Sequence, residues 1–189
     1  IPNDLDSATI GMGLSIQDPE ALKLLVKSLL DRDVRLSLDA TALVNYILPL
    51  LSGKNVVITP HAGEFKKMFG EAPPDSKKAR ITMVEKFAKD HSITILLKGP
   101  TDIISNGTKT YINPTNTPGM TVGGTGDILS GIIAGMLARN RNALESAVIS
   151  AYFNGLAGKS TQKKLGSHMT ATDLLDALPG VMKSFDKIK

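Results

Sequence analysis

The sequence predicts an α/β fold built on a mostly parallel central sheet, because short β-branched apolar runs alternate along it with longer segments of helical period. Ile93–Leu97 is an uninterrupted apolar run, as expected of a strand covered on both faces. The residues with chemical potential, Gly11–Gly13, Asp39, His61, Glu64, Lys98 and Gly99, each directly follow a candidate strand. Open parallel sheets bind their ligands at that edge, beyond the carboxyl ends of the strands.

Taken in order, Ala8–Ile10 reads as a short strand that runs into the turn Gly11-Met12-Gly13-Leu14. Asp18 and Pro19 suit the N-cap and first position of a helix whose apolar stripe is Leu22, Leu25, Val26 and Leu29. Val34–Leu38 is a strand ending at Asp39, and Ala40–Leu48 reads as a helix stopped near Pro49. Val56–Thr59 is a strand closed by Pro60, and Asp75–Asp90 is a helix with Ala79, Met83, Val84 and Phe87 inward. Asp102–Ser105 and Lys109–Ile112 flank Asn106-Gly107, a hairpin signal. Asp127–Ala138 and Ala143–Gly158 read as helices with small apolar faces; Thr172 and Asp173 open a last helix ending near Pro179, and the charged tail Lys183–Lys189 is expected to fray. No repeat, linker or low-complexity segment interrupts residues 1–189, so one domain is expected.

Composition removes several classes of function. The 189 residues include no cysteine, which excludes disulfides, thiolate metal sites and a cysteine nucleophile. The net charge of +4 is too modest for nucleic-acid binding without a clustered basic face, and no tryptophan with 4% aromatics makes a poor base-stacking platform. No apolar run has the length of a membrane span, and no basic-then-apolar leader opens the chain, so no membrane partner is expected and a cytoplasmic protein is the default. The sequence starts Ile1-Pro2-Asn3-Asp4, which reads as numbering that begins inside a longer chain.

The chemistry is concentrated in Gly123-Gly124-Thr125-Gly126-Asp127, immediately before the apolar helical pattern Ile128, Leu129, Ile132, Ile133, Met136 and Leu137. Glycines permit positive φ and turn successive N–H groups toward one point. With the free N–H groups of the helix behind them, Gly123, Gly124, Thr125 and Gly126 form an anion cradle. Asp127, at the first helical position, is then placed to accept a hydroxyl proton beside a bound phosphate. The Walker pattern Gly-x-x-x-x-Gly-Lys-Ser/Thr is absent.

Asn116–Ala134, NTPGMTVGGTGDILSGIIA, resembles the signature of the ATP/ADP-dependent NAD(P)H-hydrate dehydratases of the ribokinase-like superfamily. Four further blocks resemble the family in the same order: Ile10-Gly11-Met12-Gly13-Leu14, Asp39-Ala40-Thr41-Ala42-Leu43, Thr59-Pro60-His61-Ala62-Gly63-Glu64-Phe65 and Leu97-Lys98-Gly99-Pro100-Thr101-Asp102. Met12 stands where the family has proline, and the family's N-terminal region has no counterpart.

The resemblance implies a ribokinase-like three-layer α/β/α fold, of which these residues are the C-terminal part. It implies Asp127 as the catalytic base and a contact of the hydrated nicotinamide, with Gly13 and His61 lining the substrate. Nucleotide would be bound by Lys98, Gly99, Pro100, Thr101, Asp102 and Gly126, and Glu64 would help order Mg²⁺ and its waters. The implied reaction repairs NADHX or NADPHX by phosphorylating the ring hydroxyl from ADP or ATP and then expelling phosphate, in a homo-oligomer such as a tetramer.

Structural roles stand beside these: His61 as a loop hydrogen-bonding residue, Glu64 as an early-helix acid, Lys98 as an exposed strand-end cation, Gly99-Pro100 as a turn and Asp39 as a helix cap. Two other functions would use the same cradle, a superfamily kinase for a hydroxymethylpyrimidine, thiazole or sugar hydroxyl, and a non-catalytic adenylate-binding protein.

Overall fold

In the computed structural model, Pro2, residues 4–139 and residues 142–186 are described. They form a sheet of six strands in the order β1 (Ser7–Ile10), β2 (Arg35–Leu38), β3 (Val56–Ile58), β4 (Thr94–Leu97), β5 (Asp102–Ser105) and β6 (Thr110–Asn113). The first four run parallel, and the last two are antiparallel to their neighbours. The mostly parallel sheet expected from the alternation of elements is therefore present, with an antiparallel hairpin added at one side.

Alternation along the strands sorts the core into two faces. Leu36, Leu38, Val56, Ile58, Ile95, Leu97 and Ile103 point one way, into a core shared with α1 (Pro19–Leu30), α2 (Leu48–Leu51), α3 (Ala62–Phe69) and α4 (Lys77–His91). Val57, Leu96 and Ile104 point the other way, under α5 (Thr125–Ala138) and α6 (Ala143–Leu165). Two helical layers thus enclose the sheet, and α7 (Ala171–Lys183) closes a smaller apolar cluster against α6.

After β6 the chain returns across the sheet, and α5 is laid over β1 and β2. Hydroxyls fix its direction. Ser7 Oγ donates to Ala134 O (2.7 Å), Thr9 and Ser130 share a hydrogen bond of 2.6 Å, and Ser37 and Ser130 share one of 2.7 Å. Later residues of α5 therefore lie over earlier residues of β1, so its N-terminus projects beyond the carboxyl ends of the strands.

Four sequence expectations are corrected. The helix expected over 40–48 is two 3₁₀ turns, Ala40–Ala42 and Asn45–Ile47, leading into α2 with Pro49 in its first turn. Proline lacks an N–H and suits a helix start, and Val44 between the turns is extended. The helix α5 begins at Thr125, so Asp127 is its third residue, not its first. Pro179 lies inside α7 on its exposed side, where solvent can satisfy the carbonyl it frees, while Leu174 and Leu178 stay buried. Gly158 does not end α6, which runs on to Gly166 at φ +62°; Gly155 and Gly158 instead let Thr115 and Met120 approach closely. Of the tail expected to fray, Lys183 closes α7 and residues 187–189 lie outside the described residues.

Candidate active site

Backbone bonds extend the parallel ladder just past the strand ends. Asp39 N–H donates to Ile10 O (3.0 Å), Thr59 N–H to Leu38 O (3.0 Å) and Lys98 N–H to Pro60 O (2.8 Å). Asp39, the Thr59–His61 turn and Lys98 consequently stand side by side at one sheet edge. Each polar residue directly follows an apolar strand, so its side chain leaves the core where the sheet stops.

Asp39 is only 2% exposed. Its Oδ1 accepts the Ala40 N–H (2.9 Å) and the Lys98 ammonium (2.7 Å). Lys98 arrives from β4 and crosses above β3 to make that pair, with Glu64 Oε2 at 3.7 Å on its other side. A Cβ added to Gly126 would lie 3.4 Å from Lys98 Nζ and 3.5 Å from Asp39 Oδ2. The ion pair therefore abuts the first turn of α5, one residue from Asp127.

That turn starts from Gly124 in the left-handed region (φ +93°), and no side chain caps it. The first N–H groups of a helix lack intrahelical acceptors, so Gly124, Thr125, Gly126 and Asp127 present backbone donors there. Thr125 is buried, and its hydroxyl lies 2.8 Å from Met120 O and 3.1 Å from Val122 O, which ties the preceding loop to the helix. Gly123 and Asp127 are exposed. This is the cradle expected from the glycines, with the acid two residues further into the helix.

His61 and Glu64 form a reciprocal cap on α3. His61 Nδ1 accepts the N–H groups of Gly63 (3.0 Å) and Glu64 (3.2 Å), while Glu64 Oε2 accepts the His61 N–H (2.8 Å). Nδ1 is thereby an acceptor, and the neutral ring carries its proton on Nε2. The imidazole side chain is 58% exposed, with Nε2 3.5 Å from Glu64 Oε1. The early-helix role considered for Glu64 is real, and the bounds of α3 come from His-x-x-Glu at its start and Gly70 at φ +80° as its stop.

The Lys98–Asp102 segment is shaped from within. Asp102 is 3% exposed; its Oδ1 accepts from Gly99 N–H (3.1 Å) and Asn116 Nδ2 (2.8 Å), and its Oδ2 from Asn113 Nδ2 (2.9 Å). Burial pushes its pKa up, partly offset by these hydrogen bonds and by the Lys98 charge. Asn116 also holds Gly99 O (2.8 Å). Asp102 thus faces inward, and Lys98, Pro100 and Thr101 form the outer face of the loop. Gly13 (φ +65°) is exposed in the turn after β1, where the Thr41 hydroxyl lies 2.6 Å from Gly11 O and 2.9 Å from Leu14 O. Asp39 is the helix-start cap that the sequence offered, and Thr41 and Asn113, which it did not select, brace the neighbouring turns.

A groove lined by Lys54, Lys89 and Lys109 lies at the opposite ends of the strands and shares no residue with this cluster. Among the described residues, no group of three or more His, Asp or Glu side chains converges as a metal cage. Glu64, a single carboxylate 3.7 Å from the Lys98 ammonium, suits only an ion that keeps most of its waters and binds mainly through nucleotide phosphates, which is the habit of Mg²⁺. Among the described residues, no helix is long and apolar enough to cross a membrane.

The mostly parallel sheet between two helical layers, with a glycine-led helix N-terminus at the carboxyl ends of its strands, is shared with ribokinase-like α/β proteins. A ribokinase-like superfamily protein from Enterococcus faecalis V583 superimposes with a TM-score of 0.77 at 27% identity, over 98% of this chain and 66% of that one. The sequence profile described as NAD(P)H-hydrate dehydratase matches residues 2–180, and the chain belongs to that family. The ADP-dependent (S)-NAD(P)H-hydrate dehydratase of Nitrosopumilus maritimus is 64% identical over 188 residues, covering 100% of this chain and 66% of that relative. The Bacillus subtilis ADP/ATP-dependent NAD(P)H-hydrate dehydratase, co-crystallised with ATP and Mg²⁺, superimposes with a TM-score of 0.84 at 28% identity, over 97% of this chain and 68% of that one. The chain thus spans only part of the length of the Nitrosopumilus maritimus relative, 66%.

Proposed function

We propose that this chain carries the phosphoryl-transfer site of an ADP-dependent dehydratase that restores NADH and NADPH from their hydrates, NADHX and NADPHX. The observation that carries the reading is Asp127 on the uncapped first turn of α5, with the Lys98 ammonium against the same turn. ADP is preferred over ATP as donor because the 64% identical relative is named for it.

Hydroxide is a poor leaving group, and phosphorylation converts it into a good one. Asp127 accepts the proton of the ring hydroxyl as its oxygen attacks the β-phosphorus of ADP, and AMP departs. The N–H groups of Gly124, Thr125 and Gly126 and the Lys98 ammonium face the charge on the transferring phosphoryl oxygens. The ring nitrogen's lone pair then forms a C=N bond as the C–O bond breaks and phosphate leaves. Loss of a proton from the neighbouring carbon regenerates the dihydronicotinamide.

Mg²⁺ would supply neutralisation of the phosphate oxygens when bound, with Glu64 the residue that would hold its waters. In this reading Gly99, Pro100 and Thr101 line the nucleotide, Asp102 shapes their loop, and Gly13 and His61 contact the dinucleotide. The protein acts in the cytoplasm as a homo-oligomer.

The test is to supply NADHX and ADP and to follow NADH, AMP and free phosphate together. Equal amounts of all three are expected, and Asp127→Asn should lower kcat roughly 10³-fold with ADP affinity retained. Full activity of that variant would remove Asp127 from the mechanism. A stable phosphorylated product without free phosphate would identify a kinase instead.

A further inference from the structure

We infer that Asp39 is a positioning residue for this reaction: its buried carboxylate anchors the Lys98 ammonium against the first turn of α5, so that the charge meets the transferring phosphoryl group. The inference rests on the phosphoryl-transfer reading above and adds a residue that touches neither substrate nor nucleotide.

Three independent features aim this carboxylate. Its backbone is fixed in the extended ladder by the Asp39 N–H to Ile10 O bond, so it moves only with the sheet. The next residue, Ala40, adopts φ +48°, a left-handed conformation unfavourable for a residue with a Cβ, and its N–H is thereby turned onto Asp39 Oδ1 at 2.9 Å. Gly11 lets its backbone pass directly against Asp39, where a Cβ would sit 1.7 Å from the Asp39 carbonyl oxygen. Strain and close approach are concentrated at one acid that a simple helix cap would not require.

The charge balance also points outward. Asp39 and Glu64 flank one ammonium, at 2.7 and 3.7 Å, and only Asp39 is almost fully buried. A lysine has a long flexible stem, and without a fixed partner its ammonium would sample solvent. Held by Asp39, it stays 3.4 Å from the Cβ position of Gly126, beside the helix end that receives phosphate. Preorganisation of this kind matters most in the transition state, so loss of the anchor should fall on kcat more than on substrate KM.

The experiment is a double-mutant cycle on the full chain with Asp39→Asn, Lys98→Gln and the double variant, reading kcat, both KM values and the Kd for ADP. Asn keeps an acceptor for the Ala40 N–H, and the double variant leaves no buried charge unpaired, so foldedness by thermal melting is checked in all four proteins. Lys98→Gln is expected to lower kcat roughly 100-fold and Asp39→Asn roughly tenfold, with the KM for the nicotinamide hydrate unchanged. In the Lys98→Gln background, Asp39→Asn should change kcat and Kd by less than about twofold.

Multiplicative losses would overturn the proposal, because Asp39 would then act independently of Lys98. A purely structural role would lower melting temperature and raise KM in both backgrounds. If the unmutated protein binds ADP but does not convert NADHX, the dehydratase reading fails. Each single variant should also raise the Kd for ADP roughly threefold, and the double variant no further, so the Kd cycle still decides the Asp39–Lys98 coupling in that case.

Discussion

Gly11 and Asp39 meet backbone to backbone at the carboxyl edge of the sheet: a Cβ on Gly11 would fall 1.7 Å from the carbonyl oxygen of Asp39 and 3.0 Å from Ala42 Cβ. Gly11 also holds φ +126°, a region that side chains rarely enter. Gly11→Ala must therefore displace the Asp39 segment. Strain plus overpacking should cost on the order of 3 kcal/mol in urea unfolding. Turnover should fall further than the surviving folded fraction explains, because Asp39 carries Lys98 with it. A variant of unchanged stability would show that the turn yields freely.

Gly155→Ala tests whether close packing overrides helix propensity. In the interior of α6 an alanine would by propensity alone stabilise by about 0.8 kcal/mol. Here its Cβ would lie 1.8 Å from Thr115 Oγ1, and that hydroxyl is hydrogen bonded to Asn113 Oδ1 at 2.6 Å. Asn113 in turn donates to Asp102, so the disturbance reaches the Lys98–Asp102 loop. The expected result is destabilisation of about 1–3 kcal/mol and a raised KM for nucleotide. Gly135→Ala in α5, which meets nothing within 4 Å, is the matched control and should stabilise by up to about 1 kcal/mol.

His61 has two roles that substitution can separate. As the cap of α3 it needs only a side-chain acceptor for the Gly63 and Glu64 N–H groups, and asparagine supplies one. His61→Asn should thus keep stability within about 0.5 kcal/mol, whereas His61→Ala should lose about 1 kcal/mol. If the exposed Nε2–H edge contacts the dinucleotide, both variants raise the KM for the nicotinamide hydrate alike. Normal KM in His61→Asn with a loss only in His61→Ala would make His61 a cap and nothing more.

Much of this site was legible because chemistry and chain punctuation coincide. Gly124 announces a turn that requires positive φ, and the apolar period after Asp127 shows a helix behind it. The strand-end positions of Asp39, His61 and Lys98 follow from the alternation of elements, which is a local pattern. The Asp39–Lys98 pair joins residues 59 apart in sequence, and nothing local to either predicts a partner across an intervening strand. Helix ends were read wrongly where proline and glycine carried a second meaning. Pro49 starts a helix, Pro179 sits on the solvent side of one, and Gly158 makes room for Met120. In each case tertiary contact, absent from the local sequence, decides between breaker and fit.

Two carboxylates give the folded protein opposite responses to acid. Burial raises the pKa of Asp102 above the ordinary 3.8, so between 3.8 and that raised value the folded state keeps a proton the unfolded chain has released. Its contribution is fully present below 3.8 and is lost as pH rises through the folded value. Hydrogen bonds from the Thr170 hydroxyl and N–H lower the pKa of Asp173 below 3.8, so its contribution is present above 3.8 and is lost as pH falls through the folded value. Unfolding free energies from urea titrations across this range should separate the two. Asp102→Asn should flatten the decline above 3.8, a slope of at most about 1.4 kcal/mol per pH unit, whatever constant offset the substitution adds. Asp173→Asn should leave that limb intact and flatten the acid limb below 3.8. An unchanged slope above 3.8 in Asp102→Asn would mean that its hydrogen bonds from Gly99, Asn113 and Asn116 outweigh burial. The Lys98–Asp102 loop would then be held by an acid that is ionised above 3.8.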